Sequence, residues 1–305
     1  GDMGHAVGRS LRENNFEVIT CLAGRSDRTR ALSERAEIRD VPTLEALVVD
    51  ADLILSILVP ANALNVTHEV AKALASVGAN TYFADCNAIS PATAALMNES
   101  ISDAGGRFID ASIIGRPPGH GRMPRFYTSG PHATAMSELD GRGIDGRQLG
   151  DEVGRASAIK MCYASMTKGT YALHIALLTA AQSLGLFDEL TDEFRYSQPD
   201  AIESMENHLP RLPANAARWI GELEEIAETF EAARVTGQFH RGAAEVLRLL
   251  SRTPFADETP ETIDPDRTLA ALIQCGETPL RVVGAHSLTG VGYRRAKSDQ
   301  FLALA

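Results

Sequence analysis

The sequence predicts a doubly wound α/β domain followed by an all-helical domain. Three observations carry this. Short β-rich runs alternate with helical stretches through the first half of the chain, the near-continuous apolar run 52–59 (DLILSILV) reads as a strand buried on both faces, and no convincing strand occurs between about Asp151 and Arg252. The strands are expected at 16–22 (FEVITCL), 52–59, 81–85 (TYFAD) and 107–114 (RFIDASII). Helical patterns lie between them at about 26–35, 62–76 and 91–103, the last with Ser90 as N-cap and Pro91 in the first turn. Such alternation implies parallel βαβ units.

The second half is helical: 154–185, broken only by Gly169, then 187–195, 199–208, 214–235 and 238–251. The expected division is 1–150 for the α/β domain and 151–270 for the helical one, with 271–305 as an atypical tail. A length of 305 residues suits two domains. The segment 253–266, rich in proline and acid, reads as surface or linker.

Composition excludes several classes. A net charge of −11 argues against nucleic acid or an anionic membrane as the main partner, and no run is long and apolar enough to span a membrane. Cys21, Cys86, Cys162 and Cys275 are far apart and suggest free thiols in a reducing cytoplasm. The eight histidines show no metal-ligand spacing, so no catalytic metal is expected.

The chain opens Gly1-Asp2-Met3-Gly4, followed by a helical pattern to about Asn14 and then a strand. A dinucleotide fingerprint needs strand, glycine turn, helix and second strand. All but the first strand and first glycine are present, so the expectation is a Rossmann-type sheet whose first strand is missing from this sequence, as in a shortened copy of a longer protein. Gly1 suits close approach of a pyrophosphate and Gly4 close helix–sheet packing, while the helix N-terminus offers free N–H donors. An ordinary helix start after a tight turn is the alternative. At the end of the second strand, where NAD enzymes carry an acid, Arg25 and Ser26 stand instead, with Arg28 and Arg30 close behind. A guanidinium pairs bidentately with phosphate, so NADP(H) is favoured over NAD(H). A solvated basic loop is the plainer reading.

Four segments together resemble the β-hydroxyacid dehydrogenase and 6-phosphogluconate dehydrogenase superfamily: Gly1–Gly4, Leu58-Val59-Pro60, Asp85-Cys86-Asn87-Ala88-Ile89-Ser90-Pro91, and Gly154-Arg155-Ala156-Ser157-Ala158-Ile159-Lys160. Thr167-Lys168-Gly169 and the run Ile109–Gly115 are similar to a less characterised branch. The resemblance implies a Rossmann domain, an all-α C-terminal domain, a homodimer, and hydride exchange between a nicotinamide and a small β-hydroxy acid, semialdehyde or keto acid. It places Lys160 as catalytic acid/base. Asn87, Ser112 and Gly115 are expected at the substrate, and Gly1, Asp2, Met3, Gly4, Arg25, Ser26, Arg28, Val59, Pro60 and Asn87 at the cofactor.

Helical spacing puts Lys160, Ala164, Thr167 and Tyr171 on one stripe, with Lys168 about 80° from Lys160. Many relatives carry Asn where this chain has Ala164, and Thr167 or Lys168 is expected to compensate. The loop 116–125 (RPPGHGRMPR) reads as a flap or a plain surface turn, with Arg116 a further carboxylate-binding candidate. Two alternatives stay open: an imine reductase, with Tyr171 supplying the proton, and a non-catalytic NADPH-binding protein.

Overall fold

A computed structural model describes residues 1–259 and 261–275. The expected residues 276–305 of the tail lie outside the described residues. Two compact units emerge, one of Gly1–Gly169 with Arg218–Ala244, the other of Thr170–Ala217 with the chain from Glu245 onward. They do not follow a cut at residue 150, because three helices of the second half are shared between them.

In the first unit, α1 (Asp2–Glu13) leads to β1 (Ile19–Thr20), α2 (Asp27–Arg35), β2 (Arg39–Asp40), α3 (Leu44–Asp50) and β3 (Leu53–Ser56). A 3-10 turn, Pro60–Asn62, precedes α4 (Ala63–Val77), then β4 (Tyr82–Asp85), α5 (Pro91–Asp103) and β5 (Arg107–Ile114). β6 (Arg125–Ser129) and β7 (Asp145–Gln148) complete the strands. Ser26, Thr43 and Ser90 cap α2, α3 and α5 by accepting the backbone N–H three residues on.

The main sheet has the order β3-β4-β5-β6-β7. β3, β4 and β5 are parallel, with Asp85 opposite Asp110. The parallel expectation fails beyond β5: β6 runs antiparallel to it, because the loop 115–124 returns the chain directly to the neighbouring position without a crossover helix. That loop is therefore the β5–β6 connection.

Alternating side chains feed two cores, as a sheet covered on both faces requires. Phe83 and Phe108 pack with Leu74, Met97 and Ile101 on one face. Ile109, Ala111 and Phe126 pack with Val7, Leu11 and Met136 on the other.

β1 and β2 form a separate two-stranded parallel sheet. No described strand lies between β1 and β3. A cavity of about 680 Å³ lies there, lined by Val18, Ile19 and Thr20 on one side and Leu53, Leu55 and Ile57 on the other. This is where a doubly wound sheet carries its first strand. It also explains why only two residues of the expected strand 16–22 are paired: β1 has a ladder on one side alone. Close helix packing beneath this region is set by Gly8 rather than Gly4. A Cβ at Gly8 would lie 2.6 Å from Ile38 Cδ1, whereas one at Gly4 would meet Ile57 at ordinary contact distances of 3.7–3.9 Å.

α6 (Arg155–Leu184) and α9 (Pro213–Ala232) run through both units, as does α10 (Gln238–Leu250). The second unit adds α7 (Phe187–Ser197), α8 (Pro199–His208), the 3-10 turn Leu209–Arg211 and α11 (Leu269–Ile273). Its interior holds Ile202, Met205, Leu209, Leu212, Leu250, Leu272 and Ile273. Arg267 ties the expected linker into it, donating to the Pro210 carbonyl at 2.9 Å and lying 3.8 Å over the Phe255 ring.

Candidate active site

The first unit brings together two groups of expected site residues. The first lies at the start of α1. Gly1 is its N-cap and offers no side chain, so no side-chain oxygen occupies the first-turn N–H groups. Asp2 is held by Arg28 at 2.7 Å, which offsets an acid where phosphates would sit. Arg25 is exposed, and Ser26 lies beside it as the cap of α2. Arg30 is committed elsewhere, donating to the Leu22 carbonyl at 2.6 Å, while Leu22 N–H donates to Asp40 at 2.8 Å; together they fix the loop that presents Arg25. A helix start without a side-chain cap and an exposed arginine at the second strand's end fit the phosphates of a dinucleotide. Val59 leads the 3-10 turn that begins at Pro60, at the end of β3, with Val59 itself exposed.

Asn87 is buried, and its side chain is fully engaged. Its Oδ1 accepts from Leu58 N–H at 2.7 Å, and its Nδ2 donates to Asp85 at 2.6 Å and to Ser56 at 3.1 Å. It therefore ties the ends of β3 and β4 together. Burial raises the Asp85 carboxyl to about 7, with the Asn87 hydrogen bonds opposing that rise.

The second group lies along α6. Its N-terminus is set by Asp110 of β5, a residue the sequence reading had not singled out. This buried carboxylate accepts five hydrogen bonds, from the N–H groups of Gly154, Ala156 and Ser157 and the hydroxyls of Ser129 and Ser157. An acid at a helix start is doubly favoured, by the free donors and by the dipole. Gly154 makes the approach possible: its φ is +100°, and a Cβ there would press on Pro91 at 3.1 Å. Ser112 adds a further tie, donating to the Ala156 carbonyl at 2.6 Å.

Lys160, in the second turn of α6, donates to the Ile113 carbonyl at 2.6 Å, at the end of β5 next to Gly115. Burial brings its ammonium down to about 8; the Lys168 charge adds to that fall and Glu222 of α9 opposes it. Lys168 is buried and pairs with Glu222 at 2.8 Å, with its ammonium 5.1 Å over the Trp219 ring. Glu222 also meets Arg218 at 3.3 Å. Three residues further along α9, Glu225 accepts from Ser90 N–H at 2.6 Å and from the Thr93 hydroxyl at 3.0 Å, holding the start of α5. Ala164 is buried between the two lysines, and Thr167 is partly buried beside Lys168. Tyr171 belongs to the second unit, where it stacks on His208 at 5.5 Å.

Glu222 was absent from the sequence reading, although an acid among Leu223, Ile226 and Ala227 on a helix with the single Trp219 was a usable signal.

Residues 1–136 match the family model of the NAD binding domain of 6-phosphogluconate dehydrogenase, and residues 181–250 match a domain of unknown function, DUF1932. A solved conserved protein of unknown function, described as structurally similar to 3-hydroxyacid dehydrogenases, is 28% identical. It aligns with a TM-score of 0.60 over 82% of this chain and 94% of its own. Residues 1–136 belong to the family of the 6-phosphogluconate dehydrogenase NAD binding domain, and the chain as a whole is similar in fold to 3-hydroxyacid dehydrogenases. This places it among NAD(P)-dependent dehydrogenases and reductases. Another relative is an uncharacterized 28.5 kDa protein of Methanothermus fervidus, 29% identical over 180 residues, covering 59% of this chain and 68% of the relative. The Mycobacterium tuberculosis 3-hydroxyisobutyrate dehydrogenase, solved with L-serine, shares the fold at 17% identity, with a TM-score of 0.63 over 89% of this chain and 94% of its own.

Proposed function

We propose that this protein moves hydride between NADP(H) and a small β-hydroxy acid, or the corresponding semialdehyde or keto acid, with Lys160 as the acid–base group. The observation that carries the reading is Lys160 itself: a partly buried lysine fixed by the Ile113 carbonyl, with its ammonium brought to about 8. When bound, the cofactor supplies or accepts the hydride. Negative charge then grows on the substrate oxygen during reduction, and Lys160 donates a proton to it; in oxidation the neutral amine takes that proton. A value near 8 keeps Lys160 protonated at neutral pH while lowering the cost of release. One of its three donors is spent on Ile113, and two remain for a substrate.

Lys168 offers the cation for the substrate carboxylate, with Thr167 beside it, and the small Ala164 leaves room between the lysines. Asn87, Ser112 and Gly115 act by holding the strand ends on which this arrangement stands. Preference for NADP(H) is supported by exposed Arg25 next to Ser26, with no acid in the loop stretch Ala23–Ser26. Homodimerisation is supported by α6, where Tyr163, Met166, Leu173 and Leu184 form one exposed apolar stripe at helical spacing. Four free cysteines suit a cytoplasmic setting.

The test is a thermal shift with NADP(H) and NAD(H), followed by turnover on a panel of aldehydes, keto acids and imines. Stronger stabilisation by NADP(H), turnover of the carbonyl compounds, and its loss in Lys160→Met with NADPH binding kept are the expected results. Binding without turnover on any compound, or imine reduction that survives Lys160→Met, overturns the assignment.

A further inference from the structure

A buried ion pair is a poor source of stability, because desolvating two charges offsets most of their attraction. Lys168 and Glu222 nevertheless form one, with side chains only 9% and 4% exposed. Their position suggests what else the pair does. Helical side chains tilt toward the helix N-terminus, so the long Lys168 side chain reaches back toward the turns that carry Ala164 and Lys160. The charged groups acting on Lys160 are Lys168 from its own helix and Glu222 and Arg218 from α9. Trp219 covers the Lys168 ammonium from the α9 side.

We propose that Glu222 is a positioning residue of the site: it fixes the Lys168 ammonium beside that of Lys160, so that the two lysines act as one pair facing a carboxylate substrate. This rests on the reading of Lys160 as the acid–base group. Glu222 restrains one cation and partly balances both. Without it, two ammonium groups repel each other across a low-dielectric site, Lys168 is released from its fixed position, and Lys160 gives up its proton more readily. The second acid of the same helix face, Glu225, holds the start of α5, so α9 grips the catalytic helix and the strand-end segment with two carboxylates one turn apart.

The experiment is an NMR titration of the Lys160 side chain in the full chain carrying ¹³Cε-lysine, with the signal assigned by its loss in Lys160→Met. Glu222→Gln is expected to move the Lys160 midpoint down by about one pH unit, a tenfold change in the ratio of neutral to charged lysine at fixed pH. Lys168→Met is expected to move it up, and Glu222→Asp to return it toward the wild-type value. The high-pH limb of kcat/KM follows the same order. Should Glu222→Gln fail to fold, Lys168→Met is compared with Lys168→Met/Glu222→Gln, which removes both buried charges together. A lower Lys160 midpoint in the double variant supports the part of the role in which Glu222 balances the Lys160 charge, and an unchanged one overturns it. An unchanged midpoint in a folded Glu222→Gln overturns it too. The titration needs no turnover, so it separates the two claims. Shifted midpoints with an active Lys160→Met leave the charge pair standing and remove the catalytic reading; unshifted midpoints with an inactive Lys160→Met do the reverse.

Discussion

Replacing Lys160 with Met should sharply lower activity and at the same time make the protein more stable at neutral pH. Lys160 titrates near 8 in the folded chain against an ordinary value of 10.5. Below 8 the folded state holds the ammonium away from water, and that cost is fully present. Between 8 and 10.5 the unfolded chain binds more protons than the folded one, so stability rises with pH and the cost disappears. The drop from 10.5 to about 8 corresponds to roughly 3 kcal/mol, reduced somewhat because the lysine is only partly buried. Met keeps the aliphatic bulk but leaves the Ile113 carbonyl without its donor, a loss of about 1 kcal/mol. The net gain is about 1–2 kcal/mol at pH 7, shrinking to nothing or turning slightly negative by about pH 10.5. Urea unfolding of both proteins at pH 7, 8.5 and 10 measures it. The same variant should lose about 10²–10⁴-fold in kcat. A variant less stable than wild type at pH 7, or a difference flat across this range, refutes the burial argument.

Asp110→Asn places an amide where five donors converge, leaving at least one buried N–H or hydroxyl without an acceptor; a loss of about 3 kcal/mol in urea unfolding is expected, and a loss under about 0.5 kcal/mol contradicts the capping role. Arg25→Ala should raise the KM for NADPH about tenfold and leave that for NADH nearly unchanged; equal effects on both remove Arg25 from the 2′-phosphate. Met166→Lys, in the middle of the exposed stripe of α6, should shift sedimentation from dimer to monomer, and an unchanged species contradicts dimerisation through that face.

Much of the fold was legible where local pattern and tertiary role agree. β5 is an apolar run flanked by glycine, and it occupies residues 107–114 as expected. α6 follows its expected span within a residue at each end. The missed elements lack such patterns. β2 is two exposed charged residues and β7 is Asp-Gly-Arg-Gln, so neither carries an apolar alternation; both exist because a neighbouring strand supplies backbone partners. The short α3 was hidden in a run of seven residues between two strands.

Within the candidate site, Lys160 was expected from its motif. Its surroundings were not, because the groups that define them come from far along the chain. Asp110 meets α6 across 44–47 residues and Glu222 meets Lys168 across 54. No local spacing encodes such pairs. Gly4 was read as the packing glycine because the motif places one there, whereas the tight contact falls one helical turn later, at Gly8.

The most direct test of the account is a crystal structure of the protein with NADPH. The phosphates are expected on the amino end of α1, the 2′-phosphate against Arg25, and the nicotinamide C4 within about 7 Å of Lys160 Nζ, the span of two successive reacting contacts. A nicotinamide lying well over 10 Å from that nitrogen contradicts the central claim.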